Sequence, residues 1–366
     1  MATLKDVISA VEHIAPPRLA MDGDPIGLHY GRLDRRIRRV AMALDASIDM
    51  QKAALSGRAD LLLVHHPRFW GGLKTLRADD ASGARAAFMA EHRLPVYSAH
   101  TNLDAAPGGV NDTLAETVGL QSPEIVEAHR VERLIKLAVF VPASHVEKIR
   151  KALCAAGAGA IGKYADCTFR VRGVGTFSCG EGTKPFQGTP GSFEEADEFR
   201  LETIFGEYDQ DRILAALLKA HPYEEAAYDL YPVLGQGRRY GFGRVGRLPR
   251  RETVADLAAR LAQAVGSSMV QYSGRPRRPL TRVAVWAGAG ANVQALSTCG
   301  AEAVVAGEVS YHDVETFMDR GIAVITLGHG HSEEIVLKPW AARLRKLVPG
   351  VEFKVLPRGG ISMTNV

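Results

Sequence analysis

Three histidine-bearing clusters could do chemistry: Val64-His65-His66-Pro67, His100-Thr101-Asn102-Leu103-Asp104 and Gly328-His329-Gly330-His331-Ser332-Glu333. Two adjacent histidines closing an apolar run are costly to bury. Each neutral imidazole needs partners for both ring nitrogens, and a divalent metal ion is the strongest partner for a lone pair. Consecutive strand residues point to opposite faces, but the backbone turns ahead of Pro67, so His65 and His66 can face one cleft. His329 and Glu333 are four apart and share a face if a helix starts near His329. A carboxylate at a helix N-terminus is favoured by the macrodipole, and its two oxygens can bridge two cations. Asp104 adds a hard oxygen. Three histidines with Asp104 and Glu333 suit zinc, iron or manganese better than calcium or magnesium.

Plainer readings compete with each cluster. A His-His pair is more often structural or exposed, a single His-x-x-x-Glu is weak, and His100 could only cap a loop. Convergence of three clusters at strand ends carries the metal reading. His331 is expected to point elsewhere. Glu308 and His312, four apart after another strand, are candidate acid/base groups together with His100; their alternative is a helix-start ion pair. Gly288-Ala-Gly-Ala-Asn292 lacks the Gly-Lys-Ser/Thr ending of a phosphate loop. The arginines at 35, 36, 38 and 39, and at 275, 277, 278 and 282, could contact phosphates of a nucleic acid, but solvated strand flanks are the plainer reading.

These side chains need a scaffold, and the apolar pattern supplies one. Short apolar runs at 40–44, 61–64 and 94–98 alternate with helical stretches, which implies parallel βαβ units and an open α/β sheet. Ligands bind at the carboxyl ends of such strands, where all three clusters lie. A new unit opens near residue 131: strand 134–141, helix 144–155, Gly-rich extended segments, strand 200–205, helix 210–220 and strand 226–231. That order predicts a ferredoxin-like α+β insertion. The Gly- and Arg-rich stretch 235–246 reads as the linker out, after which the α/β rhythm resumes and ends in a helix from Glu333 to Lys346. The expected division is 1–130 and 235–366 for one α/β domain, interrupted by 131–234.

With 366 residues, 46% of them hydrophobic, the chain can bury at least one large core. Its net charge of +4 does not by itself point to nucleic acid. Four scattered cysteines fit reduced thiols of a cytoplasmic protein. At the N-terminus, Leu4, Val7, Ile8, Val11 and Ile14 predict a folded helix with Thr3 as N-cap, and neither a signal peptide nor a membrane span is expected.

The chain resembles the Nif-three-like family, also called GTP cyclohydrolase I type 2 homologues or dinuclear-metal-centre hexameric proteins. The resemblance rests on Gly27-Leu28 with Gly31, Val64-His-His-Pro67, His100-Thr-Asn-Leu-Asp104 running into Gly108-Gly-Val-Asn-Asp112, Gly307-Glu308 with His312, and Gly328-His329 with Ser332-Glu333. Residues 131–234 are similar to the PII- and CutA-like insertion of its longer members, through Gly162-Lys-Tyr164, Gly173-Val-Gly-Thr-Phe177 and His221-Pro-Tyr-Glu-Glu225. The resemblance implies a toroidal homohexamer with two divalent ions per subunit. His66 and Asp104 would hold one ion, His65 and His329 the other, and Glu333 would bridge. The leading reading is a metal-dependent hydrolase acting on a nucleotide-like substrate; the alternative is a non-catalytic metal-binding or regulatory hexamer whose insertion senses a ligand or partner. The family's Trp-Asp-Asn appears here as Gly23-Asp24-Pro25.

Overall fold

The computed structural model describes residues 2–69, 71–73 and 75–357. The chain divides into two compact units: residues up to Arg130 together with those from Tyr240, and Val131–Arg239. Strands are numbered along the chain as β1 (Gly27–Tyr30), β2 (Arg39–Ala43), β3 (Leu61–Val64), β4 (Val96–Ser98), β5 (Gln121–Pro142), β6 (Thr168–Ser178), β7 (Phe193–Gly206), β8 (Tyr228–Thr253), β9 (Gln271–Ser273), β10 (Pro279–Trp286), β11 (Ala303–Ala306), β12 (Ala323–Thr326) and β13 (Glu352–Val355).

In the first unit the N-terminal helix Leu4–Ile14 carries the expected capping box, with Thr3 and Asp6 bonding each other's backbone N–H. One sheet has the order β1-β4-β3-β2-β13. Its inner strands are parallel, and β1 joins antiparallel at the edge. All four residues of β3 are fully buried, as a continuous apolar run in a sheet covered on both faces should be. Helix residues Met50, Ala54 and Met89 pack on Ala41, Ala43, Leu62, Val64 and Val96. In the other sheet β10, β11 and β12 are parallel, flanked antiparallel by the Tyr240–Thr253 part of β8 and by β9.

Register sets the site. Ala43, Val64 and Ser98 lie opposite one another, so the chain leaves β2, β3 and β4 at one level. Trp286, Ala306 and Thr326 do the same in the second sheet.

Two expectations need correction. The final helix does not start at Glu333: a short helix His329–Glu334 is followed by a separate one, Leu337–Leu347. Pro339 explains the break, because it sits in the first turn of the new helix, where its missing N–H is not needed. The stretch 235–246 is not a linker but continuous strand within β8. Its glycines serve close strand approach; a Cβ on Gly241 would sit 1.9 Å from the Glu127 carbonyl oxygen. The second compact unit runs to Arg239.

The second unit runs in the order β5, helix Val146–Ala155, β6, β7, helix Gln210–Ala220, β8, with sheet neighbours β6-β7-β5-β8. Ile149, Leu153, Ile213 and Leu217 from the helices pack on Leu137, Val139, Leu201 and Phe205. No helix among the described residues is long and apolar enough to cross a membrane.

Arg244 braces the first unit. It is 4% exposed and donates to Asp112 and to the carbonyls of Gly241 and Gly243. Asp112 also accepts from the Gly108 N–H, so the turn that follows Asp104 hangs on this pair. Replacing Arg244 by Leu strands a carboxylate and should cost about 3–5 kcal/mol. Urea unfolding followed by circular dichroism checks this, and an unchanged midpoint would show the pair to be dispensable.

Candidate metal centre

His65 and His66 leave β3 as the ladder with β2 continues: their N–H groups donate to the carbonyls of Ala43 and Leu44. His65 is fully buried, and its Nδ1 lies 2.9 Å from the Ala99 carbonyl, which is an acceptor. That bond sets the tautomer. Nδ1 carries a hydrogen, which leaves Nε2 to face the carboxylates. The same loop continues into helix Thr101–Ala105, which delivers Asp104. Asp104 Oδ1 stands 3.6 Å from His65 Nε2. Both atoms are buried without a hydrogen-bond partner.

Glu333 comes from the short helix His329–Glu334 and is 3% exposed. Its Oε1 faces His65 Nε2 at 3.8 Å; its Oε2 lies 2.8 Å from His66 Nε2 and 3.2 Å from His329 Nε2. Gly288, in the turn after β10, lies under this carboxylate so closely that a Cβ there would be 2.2 Å from Oε1. Buried Ser332 locks the helix to the same turn by accepting from the Gly288 N–H. Asn111 couples the two strand-end loops, donating to the Asp104 carbonyl and accepting from the Ala287 N–H. The rings of His65, His66, His100 and His329 form one cluster, with adjacent centroids 5.0–5.7 Å apart.

The charges show what the cluster would hold. Burial opposes a charge on His65, yet the Asp104 and Glu333 carboxylates outweigh it and hold its pKa up at about 9. Burial pushes the Asp104 carboxyl up. Burial also opposes ionisation of Glu333, but the surrounding imidazoles of His329, His65 and His66 win, and it is held well below the usual carboxylate range. Burial lowers His66, while the Glu333 contact raises His329. Two buried carboxylates therefore call for positive charge at the very place where a nitrogen and an oxygen are unpartnered. Two ligand atoms about 2.1 Å from one tetrahedral ion are about 3.4 Å apart, close to the separation of His65 Nε2 and Asp104 Oδ1. The donor set fits a divalent metal. Sets of His65, His66 and His100, and of His66, His329 and Glu333, each bring their ligand atoms within 4.8 Å of one another.

The contacts divide the histidines differently from the resemblance, which set His66 with Asp104 and His65 with His329. Here His65 faces Asp104, and His66 shares Glu333 Oε2 with His329. The bond to Ala99 is the reason, since it turns His65 toward the loop that carries Asp104. His100 is brought in: the Asp24 carboxylate, 3.0 Å from its Nδ1, holds its ring against His65 and His66. By its own chemistry Asp24 carries no signal in the sequence, because an aspartate before proline reads only as a turn. Glu308 lies 3.6 Å from His329 Nδ1.

His312 is not brought in. It opens helix Tyr311–Asp319, is 88% exposed in its side chain and pairs with Glu315, not Glu308. The Ser310 cap starts that helix one residue past the turn and aims His312 into solvent.

His66 and His329 form part of the wall of a cleft of about 540 Å³, shared with Asp45, Gln271, Glu308 and His331. His331, expected to point elsewhere, thus joins the approach to the cluster. Among the arginines read as phosphate contacts, Arg39 and Arg282 pair with Glu352 and Glu124, and Arg35 and Arg278 donate to the carbonyls of Arg93 and Gly321. Removing Glu333 should lower divalent-metal affinity at least tenfold, as should a Gly288→Ala variant that displaces its carboxylate, whereas His312→Ala should leave it unchanged. Elemental analysis after dialysis against chelator and re-loading reads all three; full metal retention by Glu333→Ala would contradict the geometry.

The family described as Duf34/NIF3 (NGG1p interacting factor 3) matches residues 2–358. The chain is 38% identical over 354 residues to the GTP cyclohydrolase 1 type 2 homolog of Halalkalibacterium halodurans, spanning 96% of this chain and 95% of that protein. It is 35% identical over 352 residues to the protein of the same description from Bacillus subtilis, spanning 96% and 94%. Among solved structures it is similar to a Bacillus cereus protein related to NIF3, with a TM-score of 0.93, 34% identity, and coverage of 100% of this chain and 99% of that one. With the whole described fold and the histidine-carboxylate cluster inside that match, the chain belongs to the Duf34/NIF3 family.

Proposed function

We propose that this protein is a dinuclear, divalent-metal-dependent hydrolase that acts on a nucleotide-like substrate in the cytoplasm and assembles as a homohexamer. One observation carries the reading. Glu333 presents its two oxygens to two different ligand sets, His65 with Asp104 on one side and His66 with His329 on the other, beside a cleft of about 540 Å³. Two ions of the zinc, iron or manganese class fit those sets. Bound there, they would supply Lewis acidity and lower the pKa of a coordinated water.

The chain's own residues do the rest. Asp24 orients His100 so that its Nε2 faces the cluster, where it can accept a proton. Glu308 lines the cleft and is 53% exposed in its side chain, so it can relay a proton from solvent to the leaving group while His100 passes its own to solvent. The deep burial of His65 and Glu333 keeps bulk water from competing for the ligand atoms. The nucleotide-like substrate is supported by the description of the relatives as GTP cyclohydrolase homologs.

A second reading, a metal-binding regulator without turnover, is favoured by a cavity that belongs to residues 131–239 alone. Screening nucleotides with metal-loaded protein separates the two. The hydrolase reading expects turnover that falls at least a hundredfold in Glu333→Ala and stays within about twofold in His312→Ala. Metal-loaded protein without turnover on any nucleotide, or activity untouched by Glu333→Ala, would sink it.

A further inference from the structure

The cavity of the second unit measures about 460 Å³, within the range of small-molecule sites. Four aromatic rings line it: Phe140 and Phe177 on the strands, and Phe186 and Tyr223 on the loops. Phe186 is held edge-on by His145 at 5.2 Å and lies 5.9 Å from the Tyr223 ring, yet stays 49% exposed. Three carboxylates line the same space, Glu198, Glu224 and Glu225, and no lysine, arginine or histidine does among the described residues.

Glu198 is fixed in the wall. It is 7% exposed, accepts from the Tyr223 hydroxyl at 2.7 Å, and lies over Gly175 so closely that a Cβ there would be 2.1 Å from Oε2. Glu224 is occupied in part by the Lys184 N–H. His221, stacked edge-on against Tyr223, cannot serve as the counter-charge. Its Nδ1 accepts from the Tyr223 N–H and its Nε2 donates to the Phe140 carbonyl, so both nitrogens are spent and the ring is neutral. Buried carboxylate beside partly exposed aromatic rings, with no lysine, arginine or histidine in the described lining, is complementary to a positive charge on an apolar body.

We infer that this cavity is a binding site for an organic ammonium ion, a protonated amine carried on an aromatic or similarly apolar body. The carboxylates, Glu198 foremost, take the charge. The rings of Phe177, Phe186 and Tyr223 take the body. Such a site would give the second unit a ligand of its own, independent of whether the metal centre turns over.

The test uses the full chain and three probes of one shape: phenethylamine, 2-phenylethanol and 3-phenylpropionate, titrated at pH 7 by calorimetry. Phenethylamine, charged at that pH, should bind at least tenfold more tightly than the alcohol, and the carboxylate should not bind. Hydrogen exchange should slow only around the cavity lining, at 140, 175–187, 198 and 221–227. Glu198→Gln should erase the preference for the amine while leaving alcohol binding, thermal stability and metal content unchanged; Glu225→Gln, outside the Tyr223 bond, gives a second readout should the first variant fold poorly. Equal affinity for the three probes, no binding at millimolar concentration, or a preference that survives both substitutions would overturn the assignment.

Discussion

A buried carboxylate ringed by imidazoles constrains the rest of the first unit. Glu333, 3% exposed, meets three histidines through its two oxygens, and Asp104 stands across from it with an oxygen that has no hydrogen-bond partner. Isolated burial of such charge is among the most costly arrangements in a protein interior. It is tolerable only where positive charge is supplied, by protons on the imidazoles or by a metal ion in their place. At 3.6 Å a proton on His65 Nε2 is too far from Asp104 Oδ1 to serve both atoms, whereas an ion held between them can.

The fold delivers these groups through strand register. Both parallel ladders stop level, Ala43 with Val64 and Ser98 in one sheet, Trp286 with Ala306 and Thr326 in the other, so the following turns start from common edges. Side chains from 65 to 333 then meet without long loops, and the supporting bonds are made largely by backbone: Ala99 to His65, Ala287 to Asn111, Gly288 to Ser332. The tight fit of Gly288 under Glu333 follows from that economy, since two strand-end turns share the space above one carboxylate.

The second unit obeys different chemistry. Its cavity is walled by aromatic rings and carboxylates, with histidine used structurally and both ring nitrogens spent. The same residue type thus plays opposite parts in the two units. In the first, His65 keeps an unpartnered nitrogen; in the second, His221 keeps none. What distinguishes them is the hydrogen bonding of the second ring nitrogen, which residue identity does not reveal.

Much of the architecture is legible in the chain itself. Apolar runs such as Leu61–Val64 mark strands buried on both faces, the Thr3–Asp6 box marks a helix start, and histidines directly after such runs mark a ligand-binding edge, because local periodicity and caps depend on near neighbours. The misreadings have one cause as well. Glycine and arginine in 235–246 look like a linker until a neighbouring strand needs the space a Cβ would fill, and His312 looks like a partner of Glu308 until the Ser310 cap turns it to solvent. Asp24 shows in the sequence only through the family pattern for the same reason, since its role lies in a contact with His100, 76 positions away. The sequence by itself determined which residue types could bind a metal and that they sit at strand ends. Only the tertiary structure decided which histidine faces which carboxylate, because that choice rests on hydrogen bonds and steric fits between segments far apart in the chain.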